Sequence, residues 1–311
     1  MPRLRRRGAT RVIKVGGCLI ALATGFGLGL TVAQGSSTEV GQTTSTPTFG
    51  VATPVAPLST VPGTPSYATP HGVLTSWRFH SSGDSAAGSV RLKIFRYTGT
   101  ALVFEVLAES SLKTLAPDSA YDFKERIPVD QGDLLGLNAV GGAEVGITVP
   151  GTPQNRLAQF GGGDISPGQT GTATIAWPDL RPSVAATIES DLDNDGFGDD
   201  TQDKCPVDAT TQGVCQISFG KLKRNEERGT AILPVKVPGA GTLALSGKGV
   251  VSQQATSAAR TLKLLVKPNG KTRGKLSRRG KARVKPVVTF TPTGGPAVAQ
   301  PKKVKLVKTS G

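Results

Sequence analysis

Residues 191–203 read DLDNDGFGDDTQD, which sets carboxylates at Asp191, Asp193, Asp195, Asp199, Asp200 and Asp203. Two unit charges about 5 Å apart repel by roughly 3 kcal/mol at an effective dielectric near 20, so six such groups call for a cation. The first three alternate and are followed by Gly196. D-x-D-x-D-G is the front half of an EF-hand-type loop, in which alternate side chains enter one oxygen cage and the glycine turns the chain so that the next carbonyl points inward. The expected ion is Ca2+, held by Asp191, Asp193, Asp195, the Phe197 carbonyl, Asp199 and Asp203. A solvated acidic spacer is the alternative, but a spacer has no need of this periodicity. Paired EF-hand helices are not expected, because no flanking segment has helical apolar periodicity and Pro206 blocks a helix after the loop.

The segment resembles a thrombospondin type 3 repeat, an extracellular calcium-binding unit of pattern D-x-D-x-D-G-x-x-D-x-x-D-x-C-P. Asp191, Asp193, Asp195, Gly196 and Asp199 match in place, and Cys205 with Pro206 supplies the ending. The departure is one residue: the next aspartate would fall at Gln202, and here it is Asp203. Either a bulge after Asp199 carries Asp203 to the ion, or Asp200 or the Gln202 amide oxygen serves in its place.

The elements that position this loop follow from composition. Forty glycines, 22 prolines and 5% aromatics in 311 residues favour strands and turns over helices. The net charge of +15 is unevenly spread: residues 15–219 carry ten basic and twenty acidic side chains, residues 220–311 twenty-one basic and two acidic. Residues 1–14 carry six basic side chains ahead of an uncharged apolar run that ends near Ala33. That layout predicts a signal peptide over residues 1–33 and a secreted or cell-surface protein, with an uncleaved membrane anchor as the alternative. Two cysteines then remain, and in an exported chain Cys205 and Cys215 are expected to pair, closing a loop worth about 3 kcal/mol.

Residues 34–70 are rich in Ser, Thr and Pro and read as a linker, with an edge strand at Phe49, Val51 and Val55 left open. Residues 71–190 alternate apolar and polar positions between turn residues. In SVRLKIF, Val90, Leu92 and Ile94 face inward, while Arg91 and Lys93 face water. The prediction is all-β: a jelly-roll-like β-sandwich, the calcium segment at residues 191–215, and an immunoglobulin-like β-sandwich over residues 216–311. Trp77 is expected in the first core, and Trp177 is the better placed of the tryptophans to stack on a sugar. His71 and His80 are the only histidines, and no nucleophile motif accompanies them, so no enzyme is expected. A wall-acting hydrolase with two facing carboxylates stands as a third reading.

Residues 271–285 form the most basic stretch, with Lys271, Arg273, Lys275, Arg278, Arg279, Lys281, Arg283 and Lys285. Such a cluster suits an anionic envelope polymer or glycan. Lys and Arg on solvated strand faces explain it equally well. Sequence-specific nucleic-acid binding is disfavoured because Phe219 and Phe290 are the only aromatics in this half. The sequence thus suggests a calcium-rigidified joint between two sandwiches in an adhesive surface protein, or else a carbohydrate- or polyanion-binding module.

Overall fold

The structure is a computed structural model that describes residues 36–43, 47–52, 54–57, 67–149, 156–161, 163–178, 180–258 and 260–309. The signal peptide expected over residues 1–33 lies outside the described residues, as does the side chain of Trp177. No helix among the described residues is long and apolar enough to cross a membrane.

The architecture is all-β, built as packed antiparallel sheets. In the first half, one sheet runs in the order Ser37–Gln42, Val184–Glu189, Gly72–His80, Ala120–Val129. A larger sheet faces it, centred on Gly88–Tyr97 between Val103–Glu109 and Leu134–Val140. Leu74, Trp77 and Phe79 from the first sheet share a core with Val90, Leu92, Ile94, Leu135 and Leu137 from the second. Trp77 is fully buried, its ring centroid 4.7 Å from that of Phe123, as expected of a core aromatic.

Two expectations change. The linker expected over residues 34–70 is in part sheet: Ser37–Gln42 pairs with Val184–Glu189, Phe49–Val51 with Val145–Thr148, and Val55–Pro57 with Arg156–Gln159. These are short strands in which a few apolar side chains carry the docking, with Val40 and Val55 buried. Lys93, expected at a wet face, is completely buried. Its side of the sheet is covered by the chain after Phe160, and its ammonium donates to Glu109 Oε2 at 2.6 Å and the Ile165 carbonyl at 2.7 Å and pairs with Asp164 Oδ1 at 2.8 Å. Three acceptors meet its three donors, which is the condition for burying an ammonium. Next to it Phe95, Phe104 and Phe160 form a separate small cluster on that face.

The second half packs a sheet centred on Thr230–Lys236, between Thr261–Val266, Lys223–Asn225 and Ser218–Phe219, against a sheet ordered Gln253–Ser257, Gly241–Ser246, Val287–Pro292, Val298–Pro301. Leu233, Val235, Leu243, Leu245, Leu264, Val288 and Phe290 fill the core between them. A two-stranded ribbon, Lys281–Val284 with Val304–Val307, adds Ala282, Val284, Val304 and Leu306 to that core. A turn through Thr293, Gly294 and Gly295 joins Val287–Pro292 to Val298–Pro301 as a hairpin. After Pro268 an α-helix begins, Gly270–Arg279, with Asn269 as its N-cap residue. This helix is held by one buried side chain, Leu276, which lies over Gly229. Gly280, at φ 64°, ends it in the left-handed conformation that glycine adopts without a Cβ clash. The described residues all belong to one compact unit, Val32–Gly311.

Candidate metal centre

The acidic loop leaves the first sandwich at Glu189, the last residue of its strand. Glu189 is almost fully buried, and its carboxylate accepts from Thr75 Oγ1 at 2.9 Å, Asp200 N at 3.0 Å, Thr201 N at 2.9 Å and Thr201 Oγ1 at 2.7 Å. One carboxylate therefore ties the far end of the loop to the strand Gly72–His80. Gly198 lies against it so closely that a Cβ would overlap Glu189 and Thr75. The Arg126 guanidinium covers the Phe197 ring at 4.2 Å, and Gln202 Nε2 donates to the Glu125 carbonyl at 2.9 Å.

Inside the loop the carboxylates shape the backbone that carries them. Asp191 accepts from the amides of Asp195 at 3.1 Å and Gly196 at 3.0 Å, and Asp195 accepts from Phe197 N at 2.9 Å. Asn194 at φ 58° and Gly196 at φ 82° take left-handed conformations, which reverse the chain twice within three residues. The result gathers one oxygen from each of Asp191, Asp193 and Asp195 within 4.8 Å of one another. That group could hold a metal ion.

Asp203 is outside that group of three but close enough for its charge to be felt by Asp193. Both carboxylate oxygens of Asp193 and Oδ2 of Asp203 are buried with no hydrogen-bond partner among the described residues. Asp203 itself is 2% exposed, and its other oxygen accepts from Cys205 N at 2.8 Å. Burial, then the charges of Asp195 and Asp203, push Asp193 up to about 6, and the nearby Asp208 backbone offsets only part of that rise. Burial also raises Asp203, with Asp195 and Asp191 adding to it. Buried carboxyl oxygens left without donors are costly unless protonated or bound to a cation.

Asp199 is differently engaged. Its carboxylate accepts from Ser190 Oγ at 2.8 Å and lies 3.3 Å from Leu192 N, and burial pushes it up to about 6. It braces the start of the loop from the position that, in EF-hand-type loops, often reaches the ion through water. The step from Gln202 to Asp203 has a structural counterpart: the amides of both residues donate to the Gly198 carbonyl at 2.9 Å, a tight turn that carries Asp203 inward. The Gln202 amide is turned away, its oxygen on Gly198 N at 3.3 Å. Burial raises Asp200, and the nearby Glu189 charge adds to it.

Several contributors were not evident from spacing. Gln212, within the disulfide loop, donates to Asp195 Oδ2 at 2.8 Å, and Lys204 N donates to the Gln212 carbonyl at 3.0 Å. Glu189 and Thr75 anchor the far side. Only the even cysteine count hinted that residues 205–215 would fold back towards the acids. The Cys205–Cys215 disulfide is formed, with Cα atoms 4.8 Å apart, and both cysteines lie in the second core. No family model matches the chain, and neither a curated protein nor a solved structure does.

Proposed function

We propose that residues 191–203 bind Ca2+ and that the ion stiffens the joint between the two β-sandwich bodies of an exported, non-catalytic surface protein, in adhesion or attachment to the cell envelope. The observation that carries this reading is the set of buried, unpartnered oxygens on Asp193 and Asp203 beside the cluster of Asp191, Asp193 and Asp195. The donor set is all oxygen and mostly carboxylate, which suits a hard cation of flexible coordination and disfavours zinc or copper. The Cys205 and Cys215 sulfurs are spent on each other.

The role in the joint rests on what flanks the loop. Phe197, Thr201 and Gln202 pack on the first sandwich through Arg126, Glu189 and the Glu125 carbonyl. Leu192, at the loop's start, and Pro206 and Val207, just after it, pack on the second: a Cβ on Gly294 would meet Leu192 and Pro206, and one on Gly239 would meet Val207. A cation neutralising the carboxylates between these two footings would make both rigid together. Calorimetry of the exported chain, residues 34–311, with calcium tests the binding, and Asp193→Ala should abolish the heat. Small-angle scattering with and without chelator tests the joint. Unchanged profiles together with no heat of titration would overturn the proposal.

A further inference from the structure

We propose that the face formed by the C-terminal end of the helix Gly270–Arg279 and the ribbon Lys281–Val284/Val304–Val307 is a binding site for a linear anionic polysaccharide bearing sulfate or phosphate esters. This site goes beyond the calcium joint and does not depend on it.

Lys275, Arg279, Lys281, Arg283 and Lys305 line one hollow, with Ala282 at its floor. The fold forces these side chains together. Ala282, Val284, Val304 and Leu306 are buried, so strand alternation turns Lys281, Arg283 and Lys305 outward. Gly280 reverses the chain between helix and strand, setting Arg279 next to Lys281. Lys275 and Arg279 are four residues apart, hence on one helix face.

The pairing is unfavourable without a partner. Arg283 stands opposite Lys305 in the antiparallel register, a like-charge pair across the ladder. The salt bridges among the described residues all lie between Glu39 and Asp164, so none neutralises these cations. Solvated Lys and Arg ordinarily spread out along strands; here they converge. Converging fixed cations raise the local concentration of polyanions and bind them by counterion release.

The chemistry of the lining narrows the partner. Phe290 is buried in the core, and Phe219 lies under the Lys302 ammonium at 4.9 Å, so neither offers a stacking platform for unpaired bases. The only apolar residue of the hollow, Ala282, is buried, so nothing there inserts into lipid. What remains is a cluster of cations in which Lys281 and Arg283 stand at strand positions about 6–7 Å apart, a repeat that suits a flexible chain carrying charged esters.

The test compares two triple variants of equal charge loss in the exported chain: Lys281→Ala/Arg283→Ala/Lys305→Ala at the hollow, and Lys236→Ala/Lys263→Ala/Lys267→Ala on the exposed face of the other sheet. Binding to dextran sulfate, dextran phosphate, duplex DNA and phosphatidylglycerol vesicles is measured across salt concentrations. The hollow variant should lose about tenfold in affinity for the dextrans at near-physiological salt and flatten the salt slope by about two to three, the control about threefold or less. Equal losses in the two variants would mean diffuse charge and overturn the site. Wild-type protein that binds duplex DNA or vesicles more tightly than either dextran would overturn the ligand class. Lys305→Ala alone, at an exposed position, carries the comparison if the hollow variant melts early.

Discussion

Asp193→Ala should raise the stability of the metal-free protein while abolishing its response to calcium. Truncating a half-buried aspartate ordinarily costs stability through stranded partners, but no side-chain donor holds the Asp193 oxygens, and the nearby Asp208 backbone offsets only part of the penalty on its charge. What the substitution removes is a charge disfavoured by burial and by Asp195 and Asp203. A carboxyl raised from 3.8 to about 6 is ionised at pH 7 at a cost of roughly 3 kcal/mol relative to the unfolded chain. Solvent screening in a loop that is partly open reduces this to about 1–2 kcal/mol. For a chain of this size each kcal/mol moves the melting midpoint by about 2 °C, so the metal-free variant should melt about 2–4 °C higher than wild type. In about 10 mM calcium the wild type gains about 1.4–2.7 kcal/mol if its dissociation constant is that of an extracellular module, and the variant gains nothing, so the variant's lead closes or reverses. Differential scanning calorimetry in chelator and in calcium gives both numbers. A metal-free variant that melts below wild type, or one that keeps the full calcium shift, would refute the assignment of Asp193 to the centre of the cage.

Metal-free protein should also gain stability as pH falls from about 7 towards 5, because Asp193 and Asp199 titrate near 6 in the native state and near 3.8 unfolded, so the native form binds more protons. Chemical denaturation across that range with chelator checks the sign, and saturating calcium should invert it as protons compete with the ion. Cys205→Ser/Cys215→Ser should cost about 3 kcal/mol from loop entropy and weaken calcium binding as well, because Gln212 loses its hold on Asp195; calorimetry of the reduced or substituted chain reads both. Gly229→Ala should destabilise by about 1–3 kcal/mol, since its φ of 63° disfavours a side chain and its Cβ would sit 2.6 Å from Leu276 Cδ2; thermal melts measure it. Lys93→Met should cost about 3–5 kcal/mol by leaving Glu109 and Asp164 short of a buried cation, with faster amide exchange around Ile165.

Much of the fold lay in local periodicity. Val90, Leu92 and Ile94 announce an inward face by alternation alone, and all three are buried. The aspartate spacing and the cysteine pair likewise act over a few residues, so a reading of the chain reaches them directly. The rest depends on distant partners. Ser37–Gln42 is a strand because Val184–Glu189 lies ready to receive it, about 150 residues along the chain, and its own composition is that of a tether. The helix Gly270–Arg279 buries one side chain, too little for an apolar pattern to register. Lys93 looks like a surface lysine until Asp164 and Ile165 close over it. The same applies to the loop's supports: nothing in the order of residues says that Glu189 meets Thr75 or that Gln212 meets Asp195.

The division of charge along the chain has an outcome at larger scale. With ten basic and twenty acidic side chains in residues 15–219 and twenty-one basic and two acidic beyond, the folded body is electrically lopsided. Near a negatively charged surface it would feel a torque before any contact is made, turning the C-terminal sandwich downward and the first sandwich towards the medium. A stiff joint preserves that polarity, so each molecule would arrive the same way up; a slack one would let the two ends reorient separately and blur the presentation.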